Sequence, residues 1–201
     1  AMTSSLVGSE MCIRDRFFTL EILGLKRQLP ILASPSGQMI AGFNCVGDIE
    51  LLVKSAEKLV KMMKDVDYNI VLTTELKGLP IAQEVARVAG KNYVCLRKQA
   101  KCYMLNPIST SGESITSGKT TYYISQNELE QLQNKKVLFV DDVFSTGSTF
   151  DSMMNFAEKQ NFKIVAGATI LRECKKTDMS DETKINHKGI DIYICGYLPL
   201  M

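Results

Sequence analysis

The sequence predicts an α/β fold with a mostly parallel central sheet flanked by helices. Three observations predict it. Short apolar runs alternate with one-faced helical stretches along the chain. The apolar runs lack the clean in-out alternation of half-exposed strands, which marks strands buried on both faces. Three of these runs end in unusual polar chemistry, at Thr73-Thr74-Glu75, Arg97-Lys98 and Asp141-Asp142. Ligands of such sheets bind outside the carboxyl ends of the strands, so these ends are expected to converge on one rim.

Each element is read in turn. Residues Ser5 to Arg16, SLVGSEMCIRDR, have no periodicity and look like a translated transposon-end sequencing adapter. Residues 1–16 are therefore read as a non-native or disordered leader, and 17–201 as one domain. FFTLEILGL reads as a strand, and Pro30 to Gly42 as a turn-rich connection. Asp48 is placed to cap a helix whose apolar positions, from Ile49 to Met63, recur at three and four. YNIVLTTE is a short apolar strand. GLPIAQEVARVAG is a helix with Pro80 in its first turn and Gly90 at its end. NYVCLRK is the next strand, and Ala100 to Ser117 reads as a long polar loop. TTYYIS, KKVLFVDD, KIVAGATILRE and DIYICGYLPLM are strands. NELEQL and STFDSMMNFAEKQ are helices, and the charged stretch after Glu173 is a loop.

Composition narrows the function classes. The 201 residues are 45% apolar, enough for a sizeable core. A net charge of +2 argues against a nucleic-acid partner, and no apolar run is long enough for a membrane span. The six cysteines show no C-x-x-C spacing, which fits a reduced, cytoplasmic chain. The single histidine, His187, leaves little room for a histidine-based triad or zinc site.

The stretch VLFVDDVFSTGST (Val137–Thr149) carries the clearest chemistry. A strand delivers two acids, and a Ser-Thr-Gly-Ser-Thr turn then opens a helix. Backbone N–H groups, hydroxyls and the helix N-terminus make a cradle for a phosphate. Asp141 and Asp142 would repel that phosphate but accept hydrogen bonds from sugar hydroxyls. A phosphate beside a vicinal diol describes a sugar 5-phosphate. Arg97, Lys98 and Lys101 suit a second, more highly charged group such as pyrophosphate. The alternative is that Asp142 caps a turn and the Ser and Thr residues merely cap the helix. A P-loop at Gly118-Lys119-Thr120 fails, because Glu113 stands where its first glycine is required and a β-rich stretch follows.

VLFVDDVFSTGST resembles the phosphoribosyl-pyrophosphate fingerprint of type I phosphoribosyltransferases. ELKGLPIA (Glu75–Ala82) is similar to the pyrophosphate loop of the purine members, and VCLRKQAK (Val94–Lys101) to their following basic strand. TLEILGLKRQLPI, Val46-Gly47-Asp48, KCYM and YLPLM are similar to the adenine-phosphoribosyltransferase-like subgroup. The resemblance covers roughly Phe17 to Met201.

It implies a type I phosphoribosyltransferase fold with a small hood, built from about 17–44 and the C-terminal strand. It implies transfer of phosphoribosyl from 5-phosphoribosyl 1-pyrophosphate (PRPP) to adenine, giving AMP and pyrophosphate. Asp141 and Asp142 would hold the ribose hydroxyls and act as catalytic residues. Ser145, Thr146, Gly147, Ser148 and Thr149 would hold the 5-phosphate. Glu75, Lys77 and Gly78, with Arg97, Lys98 and Lys101, would face the pyrophosphate. Mg2+ would arrive on PRPP with no direct protein ligand. The Ala100–Ser117 segment would close over the reacting centre, and beyond it Lys119 is the third catalytic candidate, a solvated loop lysine being the alternative. A homodimer is expected, with no membrane or nucleic-acid partner. Adenine enzymes commonly carry E-Y-G in the mobile loop; this chain has ESITSGKT (Glu113–Thr120), and its S-x-T is similar to xanthine enzymes. The alternatives are another purine substrate or a non-catalytic PRPP-sensing regulator. Arg172 and Glu173 are candidates for the base pocket, with rim solvation as the other reading.

Overall fold

A computed structural model describes residues 17–34, 37–114 and 118–200. The leader and the side chain of Lys119 lie outside the described residues. Two hydrophobic cores, one on each face of a six-stranded sheet, hold the fold together.

The chain opens with a three-stranded antiparallel sheet, β1 (Phe17–Ile22), β2 (Leu25–Ala33) and β3 (Met39–Ala41). Helix α1 (Ile49–Met62) follows, then β4 (Ile70–Thr74), α2 (Gly78–Ala89) and β5 (Tyr93–Leu96). A hairpin of β6 (Ile108–Ser114) and β7 (Gly118–Ile124) comes next, then short α3 (Gln126–Glu130). Strand β8 (Lys136–Phe144), helix α4 (Ser148–Lys159) and strand β9 (Lys163–Cys174) carry the chain to β10 (Lys184–His187) and β11 (Ile190–Pro199).

In the main sheet the order is β10-β11-β9-β8-β4-β5. Strands β11, β9, β8, β4 and β5 are parallel, and β10 pairs antiparallel at the edge. From β4 the chain crosses through α2 to β5, and from β8 through α4 to β9 on the other side. The crossovers therefore diverge between β4 and β8, opening a crevice at their carboxyl ends.

The strand sequences explain the double burial. All five residues of β4, Ile-Val-Leu-Thr-Thr, are buried. Val71, Leu138 and Val140 point to the core of α1 and α2; Ile70, Leu72, Val137 and Phe139 point to the core of α4. Successive side chains of a strand face opposite layers, so an unbroken apolar run serves both. Helix α4 contributes Phe150, Met153 and Phe156 to its layer. Asp48 caps α1 by accepting from the Leu51 N–H at 3.3 Å. Arg27 of β2 grips the same carboxylate through Nε at 2.6 Å and Nη2 at 3.0 Å, tying the small sheet to the helix.

Three readings from the sequence are corrected. The Pro30–Gly42 stretch holds the last four residues of β2 and all of β3: Pro30 sits where the ladder to β1 ends, so its missing N–H interrupts little. The polar Ala100–Ser117 segment contains β6. Burial there alternates from Ile108 to Thr110, but the inward positions include a threonine and give no apolar signal. The charged stretch after Glu173 contains β10, an edge strand whose polar residues are set by pairing with β11.

Candidate active site

A cavity of about 450 Å³ lies at the crevice between β4 and β8. Its floor and walls include Glu75, Lys77, Gly78, Lys98, Asp141, Asp142 and the whole turn from Ser145 to Thr149. Residues separated by more than sixty positions in sequence meet here because β4 and β8 are neighbours.

The two acids differ in environment. Asp142 is buried, 6% exposed, and its Oδ2 is approached by the Lys77 ammonium at 3.1 Å without forming a well-directed hydrogen bond. The Thr73 hydroxyl, fully buried, likewise lacks a partner. Buried polar atoms are normally paired, so Asp142, which lines the cavity, is available to a polar ligand; Thr73 lies behind Gly78 and off the cavity wall. Asp141 accepts the Asp142 N–H at 2.9 Å. Burial, and then the negative charge of Asp142, push the Asp141 carboxyl well above the usual carboxylate range.

That shift has a stability consequence. A carboxyl whose folded value is raised holds its proton more tightly in the folded state. Stability is then full below the ordinary carboxylate range and falls as pH rises toward the raised value. Asp141→Asn is expected to remove that loss and to melt higher than the wild type at neutral pH. Thermal unfolding of both proteins from about pH 5 to about pH 8 checks it; parallel curves would contradict it.

Close packing fixes the loop after β4. A Cβ on Gly78 would lie 2.7 Å from both Asp141 Oδ1 and Thr73 Oγ1, so only glycine lets α2 begin against the acids. The Glu75–Leu76 peptide is cis. Glu75 accepts the Lys98 N–H at 2.9 Å, joining this loop to the end of β5. The Lys77 ammonium also donates to the Phe43 carbonyl at 3.3 Å, which brings the segment after β3 to the same place.

The turn after β8 is built around Gly147, which precedes α4 with φ of +83° and is buried. Ser145 and Thr146 are exposed at the cavity, and Ser148 and Thr149 start the helix. Helix N–H groups without intrahelical partners face this turn, as anion sites require.

Not every basic candidate reaches the cavity. Arg97 donates to Glu128 at 2.9 Å and to the Cys95 carbonyl at 2.8 Å, and stands over the Tyr103 ring; it is not on the cavity wall. Lys101 is not on the wall either, whereas Lys98 is. Arg172 stands over the Tyr197 ring, while Glu173 lines the cavity.

Some lining residues carried no sequence signal. Tyr122, buried in β7, lines the cavity beside Thr74 and Thr149; burial and the Asp141 charge push its phenol up. These neighbours come from β4 and α4, so only the fold shows the convergence. The segment around β3 supplies Ile40, Ala41 and Phe43, and the end of the chain supplies Leu198 and Leu200, as apolar walls. His187, on β10, was readable only as an isolated histidine. The Asn-His-Lys-Gly stretch between Ile185 and Ile190 is a hairpin signal that would have brought it to the sheet.

Comparison with known proteins gives the family and the fold. The family described as "Phosphoribosyl transferase domain" matches residues 51–196. The adenine phosphoribosyltransferase of Clostridium novyi (strain NT) is 26% identical over 147 residues, covering 72% of this chain and 80% of that protein. The adenine phosphoribosyltransferase of Thermotoga petrophila is 26% identical over 124 residues, covering 61% of this chain and 69% of that one. A hypoxanthine/guanine phosphoribosyltransferase of Methanothermococcus okinawensis is 33% identical over 111 residues, 55% of this chain and 56% of its own length. The crystal structure of adenine phosphoribosyltransferase from Thermoanaerobacter pseudethanolicus shares the fold, with a TM-score of 0.61 at 18% identity over 92% of this chain and 97% of that one. The family match runs from the first helix to the last strand and takes in both loops of the crevice. The chain belongs to the phosphoribosyl transferase domain family, pentosyltransferases of the type I fold.

Proposed function

We propose that this chain transfers the phosphoribosyl group of PRPP to adenine, giving AMP and pyrophosphate. The observation that carries the reading is the order of groups around the single cavity of the crevice. The phosphate turn, the two acids, and the Glu75–Gly78 loop with Lys98 follow one another, beside apolar walls suited to a flat base.

In this reading the turn N–H groups and hydroxyls bind the 5-phosphate, and Asp141 and Asp142 accept the ribose hydroxyls. As the bond from C1′ to the pyrophosphate oxygen lengthens, positive charge grows on the ribose, and the neighbouring acids stabilise it. The N9 lone pair of the base forms the new bond to C1′, the C1′–O pair leaves with pyrophosphate, and the N9 proton goes to solvent. Lys77 and Lys98 face the departing charge. Mg2+ would come bound to PRPP and would offset the charge of the departing pyrophosphate; Asp141, Asp142 and Glu75 are oxygen donors that would hold it through its waters. The β6–β7 hairpin, which brings the buried Tyr122 to the cavity, is placed to exclude water.

Adenine is favoured over other purines by Glu173. Glu173 is half-buried and lines the cavity, and its backbone pairs in register with Leu198, another lining residue. A carboxylate accepts from an exocyclic amine and repels the carbonyl that hypoxanthine and xanthine carry instead. The relatives named for adenine also align over more of the chain than the one named for hypoxanthine and guanine.

The reading includes a cytoplasmic homodimer. Cys45, Cys95, Cys102, Cys174 and Cys195 are free, as a reducing compartment requires. Among the described residues no helix is long and apolar enough to cross a membrane. Val46, Ile49 and Leu76 are exposed apolar side chains near the Cys45–Lys77 contact, a face a second copy would cover. Competition among adenine, hypoxanthine, guanine and xanthine, with the nucleotide product separated by chromatography, tests the base. AMP alone is expected; preference for an oxo-purine would overturn the assignment to adenine.

A further inference from the structure

The edge hairpin of the sheet reaches the phosphate turn. His187 Nε2 lies 2.8 Å from Asp151 Oδ1, and the Lys188 ammonium donates to Asp151 Oδ2 at 2.7 Å. The His187 ring stands edge-on to Phe144 at 5.2 Å and to Phe150 at 5.8 Å. Those two side chains flank the turn, one ending β8 and the other in the first turn of α4. A Cβ built on Gly147 would lie 2.7 Å from His187 Cε1, so the imidazole packs directly on the residue that shapes the turn.

Asp151 is the reason this matters. It is an acid in the first turn of α4, where its charge suits the helix N-terminus but competes with a bound phosphate for the same positive end. Burial opposes its ionisation, but Lys188 and His187 outweigh that and hold the carboxyl below the usual range. Without His187 only the exposed Lys188 ammonium holds that carboxylate, and its Oδ1 is free to turn toward the cradle and repel the dianion it is built to receive.

We propose that His187 is a positioning residue for the donor's 5-phosphate: it braces the Gly147 turn and holds Asp151 away from the phosphate. The proposal rests on reading the Ser145–Thr149 turn as the phosphate cradle. It concerns the substrate's 5-phosphate end alone and leaves the pyrophosphate loop untouched.

The test is calorimetric binding of ribose 5-phosphate and, separately, of pyrophosphate with magnesium. His187→Ala is expected to weaken ribose 5-phosphate binding about tenfold, the size of a partly buried charge effect at a helix terminus. Pyrophosphate binding stays as in the wild type. At saturating PRPP kcat stays within about twofold while KM for PRPP rises about tenfold, the split expected of lost ground-state binding. His187→Gln, which can still reach Asp151, restores binding to within about threefold of the wild type. Adding Asp151→Asn to His187→Ala also restores it, because the competing charge is gone.

Ribose 5-phosphate binding unchanged in His187→Ala overturns the proposal and leaves the reading of the turn intact. Equal loss of both ligands, or no recovery on adding Asp151→Asn, also overturns it, since the defect would then be general. A wild type that binds pyrophosphate but no ribose 5-phosphate removes the phosphate reading itself, and the proposal with it.

Discussion

Asp142→Asn is expected to lower kcat/KM for PRPP by about a hundredfold or more. The substitution keeps the shape of the side chain and removes its charge. A charge-assisted hydrogen bond to a ribose hydroxyl contributes about 1.5–3 kcal/mol, and stabilisation of positive charge developing on the sugar adds to it. The loss is expected in both KM and kcat, because the carboxylate meets the ribose in the ground state and more strongly in the transition state. The variant should fold. Lys77, the ion-pair partner at 3.1 Å, is half exposed and remains solvated when the carboxylate is gone. Initial rates against PRPP, with melting as a control, make the check. Transfer that survives with unchanged affinity for PRPP would show that the acids do not hold the ribose.

Gly147→Ala is expected to abolish measurable donor binding and to lower stability together. Its φ of +83° costs an L-residue about 1–2 kcal/mol. The new methyl would also stand 2.7 Å from His187 Cε1 and 2.9 Å from Phe144 Cζ. Overpacking of that kind costs about 1–3 kcal/mol more, and relief by moving the turn misaligns its N–H groups. Gly90→Ala separates the two effects. Gly90 also has a positive φ, of 64°, but nothing lies within 4 Å of an added Cβ. It is expected to lose about 1 kcal/mol of stability and to keep donor affinity. Melting temperatures and PRPP titrations of the two variants make the comparison; equal affinities would mean that the turn does not bind the phosphate.

Where the sequence was legible, physics acted locally. The Asp48 cap, the one-faced α1 and the Gly90 stop of α2 depend on neighbours in the chain. The strand of Val137–Val140 is buried on both faces and so is apolar at every position. Its two acids and the following turn lie within one stretch, which is why the core of the site could be read. What escaped reading depended on distant pairing. Strands β2, β6 and β10 contain Pro30, Thr110 and Asn186, chosen by their ladders and not by a core. Arg97 looked like a free cation at a strand end, yet Glu128, thirty-one residues on, claims it. Tyr122 reaches the cavity on a hairpin with no local signal, and His187 reaches the phosphate turn from a hairpin whose only local mark is the Asn-His-Lys-Gly turn.

Magnesium-dependent pyrophosphate release from PRPP in the presence of adenine tests the central claim most directly. Release that requires adenine, matches it mole for mole with AMP and disappears in Asp142→Asn is the predicted result. No release with adenine, hypoxanthine, guanine or xanthine, from protein that still binds PRPP, would contradict it and make this chain a sensor of PRPP.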